Sequence, residues 1–69
     1  MKIIVAERIK ELMSEQSLNQ VKLANQLGID QSTVSYWLSG KKLPSIASLW
    51  VLADYFGVDI DYLVGRKNI

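Results

Sequence analysis

Four uncharged polar side chains in the middle of the sequence form the pattern most suited to recognising another molecule. They are Gln31, Ser32, Ser35 and Tyr36. On a helix these positions share one face, and each side chain carries both hydrogen-bond donors and acceptors. An ordinary solvated helix face more often carries glutamate and lysine. A polar but neutral face instead favours hydrogen bonding to base edges in the major groove of DNA.

Two short helices joined by a tight turn are needed to position these side chains, and residues 19–40 predict that arrangement. Gly28 is expected to end the first helix with a positive φ, and Ile29 to bury at the turn. Asn19 and Asp30 are expected to cap the two helices through their side chains. The apolar positions are Val21, Leu23, Ala24 and Leu27 in the first helix, and Val34, Trp37 and Leu38 in the second. This arrangement is that of a helix-turn-helix, with the second helix as the reading element.

Both helices are too short to be stable alone, so they must pack on other parts of the chain. Residues 3–16 predict an amphipathic helix that can serve this purpose. Its inward positions are Val5, Ala6, Ile9, Leu12 and Met13. Glutamates recur at four-residue steps on the other face, at Glu7, Glu11 and Glu15, and we interpret them as a solvated surface. Ser17 is expected to end this helix in a left-handed conformation.

Two further helices are predicted after Pro44, which prevents the preceding helix from continuing. Ser45 is expected to cap the first, whose core positions are Ile46, Leu49, Leu52, Ala53 and Phe56. Asp59 is expected to cap the second, which has the sequence IDYLV. All four glycines lie just past a predicted helix. The predicted fold class is therefore all-α: one domain over residues 1–69, built as a compact bundle of five short helices with its core over residues 3–65.

The composition excludes several classes of site. The 69 residues suffice for one small domain, and an apolar share of 49% is typical of a packed core. Cysteine and histidine are absent, which removes disulfides, the usual metal ligands and the usual general base. We therefore expect no metal, no cofactor, no catalytic residue and no enzymatic activity. The apolar start, residues 1–6, is interrupted by Lys2 and is too short for a signal or membrane segment, so no membrane contact is expected.

Charge is distributed unevenly along the chain, although the net charge is only +1. Residues 16–42 carry three lysines against one aspartate, a local net charge of +2. Residues 43–65 carry three aspartates and no basic residue, a local net charge of −3. The predicted helix-turn-helix therefore lies on the positive side, a polarity that would orient the domain on a phosphate backbone.

From Ala6 to Gly65, the sequence resembles the Cro and phage-repressor type of helix-turn-helix domain, the xenobiotic-response-element-like family with a lambda-repressor-like fold. The residues that carry the resemblance are Asn19, Gln20, Leu23, Ala24, Gly28, Ile29, Ser32, Thr33, Val34, Ser35, Ser39, Gly40, Lys41, Lys42, Pro44, Ser45, Leu49, Leu52, Ala53, Phe56, Gly57, Val58, Asp61, Tyr62 and Leu63. Matches spread over this length are far more specific than the bare helix-turn-helix pattern.

The resemblance implies roles for particular side chains. The base-reading positions would be Gln31, Ser32, Ser35 and Tyr36. The phosphate-contacting positions would be Asn19, Gln20, Thr33, Ser39, Gly40, Lys41 and Lys42. Gln20 would also brace Gln31, and the loop from Ser39 to Lys42 would grip phosphate with its amides and side chains. Trp37 is interpreted as a core residue.

Two positions depart from the family pattern. Met13 occupies a position that is usually arginine in the family, and Leu38 one that is usually glutamate, so that an ion pair is replaced by two apolar side chains. Replacing both partners leaves no unpaired buried charge. We therefore expect Met13 and Leu38 to touch in the folded domain.

The leading functional hypothesis is a sequence-specific transcriptional regulator, a repressor that occupies a palindromic operator in double-stranded DNA. It would act in the cytoplasm, at the nucleoid, and be encoded by a bacterium or a phage. A homodimer, formed alone or only on DNA, is expected through the acidic end, at Trp50, Val51, Tyr55, Val58, Ile60 and Tyr62. The alternative is an antitoxin-type or adaptor module that holds a protein partner as well as binding its own promoter. A symmetric dimer through these residues favours the regulator, whereas a surface left open for another protein favours the adaptor.

Overall fold

Five helices account for most of the computed structural model, which describes residues 3–68. They are α1 (Val5–Glu15), α2 (Gln20–Leu27), α3 (Gln31–Ser39), α4 (Ile46–Phe56) and α5 (Ile60–Val64). Residues 3–68 contain no strand, so the predicted all-α bundle of five helices is confirmed. The first helix is shorter than predicted, since Ile4 lies at its N-cap and Gln16 at its C-cap. The ends of the predicted domain, Met1, Lys2 and Ile69, lie outside the described residues.

The turns between helices follow the local signals in the sequence. At the end of α2, Gly28 has a φ of 68°, and the Ile29 N–H donates to the Ala24 carbonyl at 3.0 Å. This hydrogen bond closes the helix and starts the turn toward α3. Ser17, after α1, has a φ of 55°, so its predicted left-handed conformation is also confirmed.

The predicted side-chain caps are confirmed at two helices and wrong at two. The Asn19 Oδ1 atom accepts from the Lys22 N–H at 2.8 Å, and the Ser45 Oγ atom accepts from the Ser48 N–H at 3.1 Å. Asp30 occupies the N-cap of α3 with extended backbone, but its side chain makes no capping hydrogen bond. The same holds for Asp59 before α5. Its carboxylate instead accepts from the Lys67 ammonium at 2.7 Å, and this hydrogen bond raises the pKa of Lys67 above its usual value.

One core is shared by all five helices. Its buried apolar residues are Val5, Ile9, Leu12, Met13, Leu23, Ala24, Val34, Trp37, Leu52, Ala53, Phe56 and Leu63. Other predicted inward residues pack against this core while half-buried: Leu27, Ile29, Leu38 and Leu49. The predicted core role of Trp37 is thus confirmed.

Two residues predicted on apolar faces are exposed instead. Ile46 is 84% exposed, although Leu49 in the same turn packs against the core. Six residues along α4, the completely buried Leu52 lies roughly 120° around the helix axis from Ile46. Val21 is 48% exposed. On a helix with about 3.6 residues per turn it lies roughly 160° around the axis from the buried Leu23. Apolar spacing alone therefore overestimated how far both helices are covered.

A group of polar contacts joins the end of the chain to α1. The Arg8 guanidinium lies 4.3 Å from the centroid of the Tyr62 ring and donates to the Lys67 carbonyl at 3.1 Å. The Tyr62 hydroxyl donates to the Glu11 carboxylate at 3.3 Å, and that carboxylate lies 3.7 Å from the Arg8 guanidinium. Glu11 is exposed, as the interpretation of the three glutamates as a solvated surface predicts, and it also contacts Arg8 and Tyr62.

The packing of α1 against α3 allows a test of Met13 and Leu38, the two apolar residues that stand where the family usually has an ion pair. Met13 is 6% exposed and Leu38 packs, half-buried, on the same core; a contact between the two side chains stays a prediction. Met13→Arg should lower the free energy of unfolding by about 3 kcal/mol, because it buries an unpaired charge. The long arginine stem reduces this loss where it reaches water. Adding Leu38→Glu should restore much of the stability.

Urea denaturation of the two single variants and the double variant measures this coupling. Ser14→Arg is the matched control, since Ser14 is an exposed position of the same helix and should tolerate the charge. A double variant no more stable than the worse single variant would show that the two positions are not partners.

Candidate nucleic-acid interface

The polar face predicted from the sequence is present on α3. Val34 and Trp37 are buried on one side of this nine-residue helix. On the other side Gln31, Ser32 and Tyr36 are exposed and Ser35 is half-buried. The four polar residues follow one another at helical spacing, so α3 presents them together on one outward face.

Close packing of α2 and α3 fixes the direction of that face. Leu23 and Val34 are completely buried between the helices and the rest of the core. Ala24, 3% exposed, supplies the small side chain that allows two helices to approach closely. Because α2 and α3 are too short to be stable alone, this packing is what holds the polar face outward.

The residues expected to contact phosphate occupy three places: the start of α2, the body of α3, and the end of α3 with the loop after it. Asn19 and Gln20 lie at the start of α2, where the first backbone N–H groups have no partner within the helix. The Asn19 Oδ1 atom is already used by its cap, which leaves its side-chain N–H group as a donor. No hydrogen bond within residues 3–68 joins the Gln20 and Gln31 side chains, so the brace between them stays a prediction. Thr33, half-buried, lies on α3 itself.

The loop after α3 folds back onto the last turn of that helix. The Gly40 N–H donates to the Trp37 carbonyl at 3.2 Å. The N–H groups of Lys41 and Lys42 donate to the Tyr36 carbonyl at 3.1 and 3.3 Å, and the Ser39 hydroxyl donates to the same carbonyl at 3.2 Å. These amides therefore cap α3 within the domain. The two lysine ammonium groups remain to meet a phosphate. The Ser39 hydroxyl proton is already donated to the Tyr36 carbonyl, so a phosphate contact from Ser39 requires that hydrogen bond to be exchanged.

Tyr36 and Lys42 also meet through their side chains. The Lys42 Nζ atom lies 5.0 Å from the centroid of the Tyr36 ring, within the range of a cation–π contact. Beside them is a groove of about 290 Å³, whose lining includes Thr33, Tyr36, Lys42, Ser45 and Ser48. The sequence pattern placed Tyr36 among base-reading residues and Lys42 among phosphate-contacting ones. It gave no sign that the two side chains touch.

Exposed lysines outnumber exposed acids on the helix-turn-helix and the loop after it, whereas α4, α5 and the loop between them expose only acids among their charged residues. Lys22, Lys41 and Lys42 are exposed on or near the helix-turn-helix. Asp54, Asp59 and Asp61 are exposed on α4, α5 and the loop between them. Lys67 partly neutralises these aspartates, because its ammonium group forms an ion pair with Asp59. A negatively charged polymer would thus meet the face that contains α3.

The side chains of the candidate dimer residues differ in how far they are exposed. Trp50 is 69% exposed and Val51 is 45% exposed. Tyr55, Val58, Ile60 and Tyr62 are half-buried and pack against the core of their own chain, so they are less exposed than the sequence indicated. Ile46, one turn before Trp50 on α4, adds exposed apolar area that the sequence reading missed, because it was assigned to the core.

Two other features are absent from the described part of the chain. Within residues 3–68, no group of three or more histidine, cysteine, aspartate or glutamate side chains could hold a metal ion. No helix of these residues has both the length and the apolar character needed to cross a membrane.

Comparisons with known proteins agree with this geometry. A family model described as helix-turn-helix matches residues 9–63. The HTH-type transcriptional activator BcrR of Enterococcus faecalis is 33% identical over 63 residues, which are 91% of this chain and 31% of that protein. The cryptic phage CTXphi transcriptional repressor RstR of Vibrio cholerae is 32% identical over 63 residues, which are 91% of this chain and 57% of that protein.

A solved structure has the same fold. The crystal structure of a transcriptional regulator from Listeria innocua superimposes with a TM-score of 0.87 and 37% sequence identity, covering 94% of this chain and 61% of that one. The chain thus spans between about a third and three-fifths of the proteins it matches.

Proposed function

Because the chain belongs to the helix-turn-helix family, we propose that it binds double-stranded DNA as the operator-recognising domain of a transcriptional regulator. The observation that carries this proposal is the neutral polar face of α3, held outward by the buried Val34 and Trp37. A helix of this kind fits the major groove, where each base pair presents a distinct pattern of donors and acceptors. The three relatives described above are each named as transcriptional regulators, which supports the same function.

The proposal divides the site into residues that recognise bases and residues that contact phosphate. The base-reading residues are Gln31, Ser32, Ser35 and Tyr36. The phosphate-contacting residues are Asn19, Gln20, Thr33, Ser39, Gly40, Lys41 and Lys42. A glutamine amide can accept from the adenine N6 amine while donating to N7, which makes Gln31 the candidate for the sharpest discrimination. The lysines meet phosphate in any sequence and supply affinity rather than specificity.

We further propose that the domain represses by occupying its operator, in the bacterial cytoplasm and at the nucleoid. Occupation of DNA excludes other proteins from the same site without any additional surface, whereas activation requires a productive contact with them. The relatives include both a named activator and a named repressor. No catalytic step forms part of this proposal.

The proposed operator is palindromic and is bound by two copies of the chain. One recognition helix reads only a few base pairs, so two half-sites about one helical turn apart supply the missing affinity. Trp50 and Val51 are the most exposed of the interface candidates, and the negative charge around them keeps this end away from phosphate. The adaptor function is second, because exposed apolar residues on α4 are its only support and the dimer accounts for them as well.

Replacing Gln31 and replacing Lys41 should impair DNA binding in different ways. Gln31→Ala should lower binding by about 1–3 kcal/mol at the matched base pair and relax the preference there. Lys41→Ala should weaken binding about equally on all sites. It should also lower the salt dependence by roughly one ion, because one phosphate contact is lost.

Salt titrations of each variant on the best selected site, and on a one-base variant of that site, separate the two effects. Gln26→Ala and Lys10→Ala are matched controls, since both residues are exposed on helices other than α3, and neither should change binding. If Gln31→Ala leaves the discrimination between the two sites unchanged, α3 is not the reader.

The dimer prediction is tested separately, by sedimentation with and without a palindromic site. Two copies per palindrome are expected at saturation. Trp50→Ala should weaken the binding of the second copy, because it removes the most exposed aromatic side chain of the candidate interface. A single copy per palindrome at saturation would contradict the dimer without affecting the assignment of α3.

A further inference from the structure

We propose that Lys42 positions the Tyr36 side chain for base reading, in addition to any contact it makes with phosphate. This inference rests on the proposed function, since it concerns how one reading residue of α3 is held. It changes the role expected from the sequence, where Lys41 and Lys42 were equivalent sources of positive charge. The structure instead makes Lys42 a determinant of specificity that acts through its neighbour.

Two contacts tie Lys42 to Tyr36. The Lys42 N–H donates to the Tyr36 carbonyl at 3.3 Å, which fixes the backbone of the loop against the last turn of α3. The Lys42 ammonium then lies 5.0 Å from the centroid of the Tyr36 ring. The backbone contact sets where the lysine side chain begins, so the ammonium approaches the ring from a fixed starting point.

Lys41 provides an internal comparison. Its N–H group donates to the same carbonyl at 3.1 Å, and its side chain carries the same charge on the adjacent residue. Within residues 3–68, however, the cation–π contact to Tyr36 comes from Lys42. The two lysines therefore share the backbone contact and the charge but differ in the contact with the ring.

Tyr36 is a residue for which such a contact matters. It is 40% exposed near the end of α3, so part of its ring has no packing from the core. A side chain that changes rotamer contributes less to discrimination, because fixing it on binding costs free energy. An ammonium over one ring face limits these movements before DNA is bound. A guanidinium can do the same, whereas a methyl group cannot.

The expected effect is a partial loss of discrimination at one base pair. Lys42→Ala should weaken binding to all sites, as Lys41→Ala does, and should also lower the discrimination at the base pair read by Tyr36 by about two- to fivefold. Lys42→Arg should retain the discrimination of the original chain. Tyr36→Phe should keep the ring contact while removing the hydroxyl, so the discrimination should fall although the Lys42 ammonium still lies over the ring.

The experiment first identifies the base pair at which Tyr36→Ala abolishes discrimination on the best selected site. Affinities for that site and its one-base variant are then measured at one ionic strength for the original chain, Lys41→Ala, Lys42→Ala and Lys42→Arg. The proposal requires that the ratio of the affinity for the best site to the affinity for its one-base variant falls for Lys42→Ala alone among these lysine variants. It is overturned if the ratio is unchanged in Lys42→Ala, or falls equally in Lys41→Ala, or if Tyr36→Ala changes discrimination at no base pair.

A second measurement without DNA keeps the inference separate from the proposed function. In the proton NMR spectrum, the ε-methylene signal of Lys42 should be shifted by the ring current of Tyr36, and this shift should vanish in Tyr36→Leu. The corresponding signal of Lys41 should not change. An unshifted Lys42 signal overturns the inference even where the domain binds DNA specifically. Failure of the original chain to discriminate between any DNA sites would instead refute the proposed function, and this inference with it.

Discussion

The packing of α3 against α2 and α1 is the interaction on which the rest of the domain depends. Helices of eight and nine residues have little stability in water and form only when an apolar face is buried. Val34 and Trp37 bury that face of α3, and Ala24 allows α2 to approach it. The outward direction of the polar residues is thus a consequence of the core. The chain is a helix-turn-helix domain because this packing leaves one face of α3 free and polar.

Tyr36 connects that core to the proposed phosphate contacts. It lies beside the buried Trp37 in the sequence, its carbonyl accepts from the loop amides of Lys41 and Lys42, and its ring faces the Lys42 ammonium. The loop is therefore a continuation of the helix end rather than an independent segment. The proposed base-reading group and the proposed phosphate-contacting group can then be held in one fixed relation, which preorganisation requires.

Local sequence signals predicted the fold well because they act within a few residues. Gly28 and Ser17 marked helix ends through their left-handed backbone, and Asn19 and Ser45 supplied caps within a single turn. Asp30 and Asp59 mark the limit of such signals, since neither side chain caps its helix. Other errors arose where distant parts of the chain decide the outcome. Ile46 has the spacing of a core residue, yet the packing of the other helices leaves its side chain 84% exposed. Glu11 is exposed as predicted, but the hydrogen bond that it accepts from Tyr62 joins distant parts of the chain and could not be predicted from the sequence.

The same distinction applies to the candidate interface. The neutral face from Gln31 to Tyr36 follows from helical spacing, so the sequence predicted it and the structure places it on the surface. The use of the loop amides as a helix cap, and the contact between Lys42 and Tyr36, depend on how the chain folds back after Gly40. Composition and spacing carry no information on such contacts. The charge polarity was predicted from the sequence, although Lys67 reduces it at the acidic end by pairing with Asp59.

The central claim is that α3 and the loop after it form the DNA-binding surface, and backbone NMR tests it most directly. A titration of the ¹⁵N-labelled domain with its selected site reports each amide separately. The account predicts that the largest changes in chemical shift fall in residues 31–42, with smaller changes at Asn19 and Gln20 and little change on the exposed face of α1. The largest changes at the outer face of α1 or at the acidic end, with residues 31–42 unaffected, would contradict it.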